Sequence, residues 1–114
     1  MMLDWNAYQS EIGAGVAQIG RTNAAIVRGY RELSNAGESG VLDRKTRELI
    51  AIAVAVTRQC DGCITIHTDA AIKHGATKEE IVEALGVAIS VNAGAALVYS
   101  TRVLDAYQAK TTPG

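Results

Sequence analysis

The chain contains one proline in 114 residues, and it stands at position 113. Nothing upstream of it interrupts a helical hydrogen-bond ladder. Apolar residues recur at spacings of three and four, which is the signature of amphipathic helices. Hydrophobic residues make up 48% of the chain, but only 4% are aromatic and there is no Phe. A core made from Ala, Val, Ile and Leu suits helices that pack closely. These features predict an all-α fold of about six helices in a single domain spanning residues 1–114, a length that buries only a small core.

The first helix is expected from about Asp4 to Ile19, with Trp5, Tyr8, Ile12, Val16 and Ile19 on one face. Gly13 and Gly15 weaken it. A second runs from Asn23 to Asn35 and carries Ile26, Val27, Tyr30 and Leu33. Gly37-Glu38-Ser39-Gly40 reads as a flexible loop. Asp43 is a fitting N-cap for a third helix, Arg44 to Arg58. Its centre, Leu49 to Val56, is apolar on every side, and its length and alanines favour a buried helix over a strand. The fourth helix spans Asp61 to His74, with Gly75 as the stop. Thr77 and Glu80 form a capping-box signature that opens a fifth helix, to about Val91. Asn92-Ala93-Gly94 predicts a break or kink, and a sixth helix then carries Leu97, Val98, Val103, Leu104 and Tyr107. The spacing of Gly86, Ser90 and Gly94 permits close approach of another helix, within the chain or from another subunit.

The net charge is −1, with Lys and Arg scattered. No basic stripe for nucleic acid is present. The N-terminal residues show no basic-then-apolar signal pattern, and no uninterrupted apolar run implies a membrane span. A cytoplasmic location is therefore expected. Two close cysteines there favour redox or metal chemistry over a structural disulfide framework.

Those cysteines are Cys60 and Cys63, followed by His67. At about 100° per residue, Cys60, Cys63, His67 and His74 share a sector of roughly 60° on the fourth helix. That sector is also its apolar stripe, so the thiols are expected to face the interior or a subunit interface. Cys60 lies at the helix start, where exposed amides and the dipole favour a thiolate. His67 lies one turn beyond Cys63, within reach of its sulfur directly or through water. Either thiol therefore has a route to activation, and the pair can close a disulfide.

Plainer assignments compete. Two cysteines on an apolar stripe can be small hydrophobes. Cys60, Cys63 and His67, with Glu48 or His74, can be read as metal ligands, although three from a single helix is unusual for zinc. Glu48 can be a first-turn carboxylate paired with Arg44 or Arg47, or a partly buried group that exchanges protons. His74 fits a helix C-terminus better than catalysis. Tyr30, Tyr99 and Tyr107 fit core or interface, and Asp61 and Asp69 fit the helix surface.

Arg47-Glu48-Leu49-Ile50-Ala51-Ile52-Ala53-Val54-Ala55, Cys60-Asp61-Gly62-Cys63-Ile64, His67, His74-Gly75-Ala76-Thr77 and Glu79-Glu80-Ile81 together closely resemble the carboxymuconolactone decarboxylase family. The match is to its alkylhydroperoxidase D (AhpD)-like branch and covers roughly Leu42 to Asn92. The resemblance implies an all-helical fold and assembly as a homotrimer or homohexamer. It implies that Glu48, Cys60, Cys63 and His67 form a proton relay and a thiol pair. Cys63 would attack a hydroperoxide and Cys60 would resolve the sulfenic acid as a disulfide. An external dithiol, thioredoxin-like or lipoyl-type, would then reduce the pair, with no bound cofactor. The AhpD-like pattern carries a histidine just before the second cysteine, where this chain has Gly62. Decarboxylases of the family lack the thiol pair. Two other functions remain: a decarboxylase-type enzyme acting on a carboxylated lactone through His67 or Glu48, and a non-enzymatic redox-sensing or metal-binding oligomer.

Overall fold

The computed structural model describes residues 1–38 and 40–114. Ser39, in the expected Gly37–Gly40 loop, lies outside the described residues. Among the described residues five α-helices follow one another: α1 (Trp5–Thr22), α2 (Ala24–Asn35), α3 (Arg44–Thr57), α4 (Asp61–Lys73) and α5 (Lys78–Thr111). Among the described residues there is no strand, so the apolar run from Leu49 to Val56 is helical.

Each helix start has a side-chain acceptor for an amide that the helix leaves unpaired. The Asp4 carboxylate accepts from Ala7, Asn23 from Ala25, and Asp43 from Thr46 at 2.7 Å. The amide of Thr46 is the main reason the Asp43 carboxyl is held below its ordinary range. At α5, Thr77 and Glu80 bond reciprocally at 3.1 and 3.0 Å, completing the expected capping box.

The expected break at Asn92-Ala93-Gly94 does not occur, and the fifth and sixth expected helices are one helix of 34 residues. Asn92 usually competes with the helix backbone by offering it a local side-chain partner. Here its Nδ2 donates to the Ala88 carbonyl of its own helix at 2.7 Å and to Thr57 Oγ1 of α3 at 2.8 Å. With the side chain engaged in this way, Gly94 alone costs the helix about 1 kcal/mol, too little to end it among alanines.

The central layer is α3 packed on α4, with the first half of α5 against α3 and α1 against α4; α2 packs on α1 alone. The core lies in this layer and is sparse. Among the described residues only Ile52, Ala55, Thr65, Ala71 and Ala88 are buried. The second half of α5 projects away, with Leu97, Val103 and Leu104 each about 70% exposed. Tyr30, Tyr99 and Tyr107 are exposed as well, so they take no part in a core within the subunit. The radius of gyration, 19.4 Å, far exceeds the ~13 Å of a compact chain of this size.

α5 is long and apolar enough to cross a membrane by length and composition. Its first half lies instead against α3, where Asn92 is bonded to Thr57. Length and composition alone do not make it a span.

Candidate functional site: a disulfide and an acid–base pair on adjacent helices

The site is assembled where α3 turns into α4. α3 ends in a Schellman motif, in which the Cys60 amide donates to the Ala55 carbonyl at 3.1 Å and the Gln59 amide to Val56 at 3.2 Å. Gln59 holds the left-handed position, with φ 53°. Glycine is usual there, so the sequence carries no signal for this turn. Cys60 is therefore tied to α3 through its backbone while its side chain begins α4.

Cys60 is the N-cap of α4, and its Sγ accepts from the Cys63 amide at 3.2 Å. That amide can equally hold a thiolate on Cys60, as expected for sulfur at a helix start. Cys60 and Cys63 are joined by a disulfide across a Cα separation of 5.3 Å. Both are half-buried. A disulfide leaves neither sulfur as a thiolate ligand, and among the described residues no group of three His, Cys, Asp or Glu side chains could hold a metal ion.

Glu48 and His67 meet across the α3–α4 interface. His67 Nδ1 lies 2.7 Å from Glu48 Oε2, and the side chains are 31% and 23% exposed, respectively. The ring and the carboxylate share one short hydrogen bond, partly shielded from water. That leaves Nε2 as the ring atom available to a reacting group. Glu48 does not pair with an arginine of its own helix; Arg44 reaches Glu38 instead, at 3.3 Å. Among the described residues His67 makes no hydrogen bond to either sulfur.

Four expected site residues thus form two units, a disulfide and a hydrogen-bonded pair. They are one helical turn apart along α4, since Cys63 to His67 is a rise of about 6 Å. His74 lies apart from the cysteines. It is the C-cap of α4, about 16 Å of helix beyond Cys63, and it is followed by Gly75 at φ 86°. Asp61 is exposed, and Asp69 pairs with Lys73 at 3.0 Å, which holds its carboxyl below the ordinary range.

Gly62, the departure from the AhpD-like pattern, has a packing reason. A Cβ there would sit 2.8 Å from Ile12 Cδ1 of α1. α1 crosses α4 closely at this point, and Thr65 Oγ1 donates to the Trp5 carbonyl one turn further on. Ile12 was readable from the sequence only as a core position; its contact with residue 62 arises from tertiary packing.

The family profile of the carboxymuconolactone decarboxylase family matches residues 22–106. That match takes in α2 and most of α5, more than the stretch from Leu42 to Asn92 that carries the sequence motifs. An uncharacterized protein of Haemophilus influenzae is 43% identical over 108 residues, covering 94% of this chain and 96% of its own. A protein of the cox locus of Paracoccus denitrificans is 39% identical over 92 residues, or 80% of this chain and 83% of its own. The crystal structure of a carboxymuconolactone decarboxylase family protein from Legionella pneumophila superposes with a TM-score of 0.74 at 34% identity, covering 95% of this chain and 97% of that one. A protein from Methanobacterium thermoautotrophicum superposes at 0.67 with 25% identity, over 73% of this chain and 94% of that one. With the profile spanning four of its five helices and the fold shared from end to end, the chain belongs to the carboxymuconolactone decarboxylase family.

Proposed function

We propose that the protein is a thiol-dependent hydroperoxide reductase. The observation that carries this reading is the Cys60–Cys63 disulfide one helical turn from the Glu48–His67 pair. A redox-active dithiol needs a base to make the thiolate and a second thiol to close the cycle. Both are supplied on α3 and α4.

In the reduced protein His67, oriented by Glu48, takes the Cys63 proton directly or through water. The Cys63 thiolate attacks the distal peroxide oxygen; an S–O bond forms as the O–O bond breaks. The departing alkoxide takes the proton and leaves as alcohol. Cys63 is now a sulfenic acid. The Cys60 thiolate attacks its sulfur, the S–S bond forms, and hydroxide leaves as water with a proton from the same pair. An external dithiol, thioredoxin-like or lipoyl-type, then reduces the disulfide by exchange and is itself oxidised. A cytoplasmic setting, where such donors are kept reduced, suits this cycle.

The test is consumption of cumene hydroperoxide with a dithiol donor. Wild type should turn over, and Cys63→Ser should not. A sulfenic acid trapped on Cys60 in Cys63→Ser would reverse the assignment of the attacking thiol, and equal rates for the two proteins would end the reading. The Glu48–His67 pair also suits a decarboxylase-type reaction on a carboxylated lactone, since it would serve as acid and base without the sulfurs. Turnover of such a lactone by the double variant Cys60→Ser/Cys63→Ser would favour that alternative.

We further propose that the working form is a homo-oligomer, a trimer or hexamer. Among the described residues only five are buried, a small core, and the apolar second half of α5 lies uncovered. Gly86 and Gly94 have open space beside them, which lets another helix approach closely.

A further inference from the structure

A second cluster of polar side chains lies at the other end of the α3–α4 pair from the cysteines. The end of α2, the start of α3 and the end of α4 enclose a cavity of about 120 Å³. Its wall contains two carboxylates, each with an internal partner: Glu38 with Arg44 at 3.3 Å, and Glu48 with His67 at 2.7 Å. Once these pairs are set aside, the Arg47 guanidinium remains. Among the described residues it makes no ion pair and no side-chain hydrogen bond. It lies against the backbone at Gly37. A Cβ on residue 37 would sit 2.5 Å from Arg47 Cζ, so Gly37 leaves the space that the guanidinium occupies. Asn35 and His74 add side-chain donors to the same wall, and among the described residues neither side chain has a hydrogen-bond partner.

We infer that this cavity binds the carboxylate of a small-molecule ligand. The Arg47 guanidinium has no direct partner among the described residues, and its fork can donate two parallel hydrogen bonds to a carboxylate. The volume equals about four waters at ~30 Å³ each, room for a carboxylate and a short stem. Glu48 lies in the same wall, so the bound group is anchored beside the acid–base pair while the rest of the ligand extends outward. Assigning this carboxylate to the hydroperoxide substrate rests on the proposed function; the binding itself does not.

The test is therefore a binding measurement that needs no turnover. Acetate is titrated at constant ionic strength and followed by the Arg47 side-chain N–H resonance and by calorimetry. One saturable site per chain is expected, with shifts confined to Arg47, Asn35 and His74. Arg47→Gln should weaken binding at least tenfold, and Arg47→Lys, which keeps the charge but loses the fork, should fall between. Arg21→Gln, at the end of α1 and outside the cavity, should bind as wild type. Non-saturating shifts spread over the surface, or unchanged binding in both Arg47 variants, would overturn the inference. Inorganic phosphate binding where acetate does not would overturn the choice of a carboxylate.

Discussion

His67 Nδ1 stands 2.7 Å from Glu48 Oε2, joining two helices whose residues are 19 positions apart in sequence. A carboxylate partner at Nδ1 favours the tautomer with the proton there and leaves Nε2 without one. We expect Glu48→Gln to keep the fold and to lower peroxidase kcat/KM by about 10²-fold, the size of a general-base contribution. The loss should appear across the whole pH–rate profile, since His67 remains as the base. A profile and rate equal to wild type would remove Glu48 from the mechanism.

The contact between residue 62 and Ile12 sets a steric limit on the thiol motif. Gly62→Ala should be tolerated at a cost under about 1 kcal/mol, because the end of the Ile12 side chain can move. Gly62→His should cost about 1–3 kcal/mol, typical of overpacking. Ile12→Ala in the Gly62→His background should recover part of that loss. Urea unfolding of wild type, Gly62→His, Ile12→Ala and the double variant gives the coupling energy directly; strict additivity would show that the two positions do not meet.

The helix ends around α4 make opposite predictions. Gly75 sits at φ 86°, where Ala is strained, so Gly75→Ala should destabilise by about 1 kcal/mol. Gln59 occupies the corresponding position after α3 with φ 53°. Gln59→Gly should leave stability unchanged or raise it by up to about 1 kcal/mol. A large loss in Gln59→Gly would mean that its side chain does more than occupy the turn.

Lys45 and Glu80 pair at 2.7 Å and hold the start of α5 to α3. The Lys45 hydrogen bond is the first cause, and the Thr77 amide the second, of a Glu80 carboxyl lying below its ordinary 4.5. Its contribution to stability is therefore present above pH 4.5 and is lost as pH falls through the lower folded-state value. Lys45 is raised above 10.5, first by the Glu80 hydrogen bond. Its contribution is present below pH 10.5 and is lost as pH rises through the higher folded-state value. Glu80→Gln should flatten both limbs of the stability–pH curve measured by chemical denaturation, and 1 M salt should do so in part.

Leu97 and Leu104 lie on the projecting half of α5 and touch little within the subunit. Replacing either with Glu should leave the helical content unchanged while shifting the protein from the proposed trimer or hexamer to smaller species in sedimentation velocity. An unchanged sedimentation profile for both variants would show that this face is not what assembles the oligomer.

The sequence determined the helical class by itself. A proline-free, aromatic-poor chain with three-and-four periodicity has few other ways to satisfy its backbone. It also determined the helix starts at Asp43 and Thr77 and the stop at Gly75, because capping is local chemistry within a few residues. The Cys60–Cys63 spacing on one turn was local in the same sense. Tertiary structure alone decided what depends on distant residues. Asn92 read as a break because its partner, Thr57, belongs to another helix. Glu48 was ambiguous between a partner of its arginine neighbours and a partly buried group that exchanges protons, because the choice depends on how α3 and α4 align. Gly62 read as a missing histidine, and the packing of α1 showed that Ile12 fills the space beside it. Arg47 stood out only once the carboxylates around it had found their own partners.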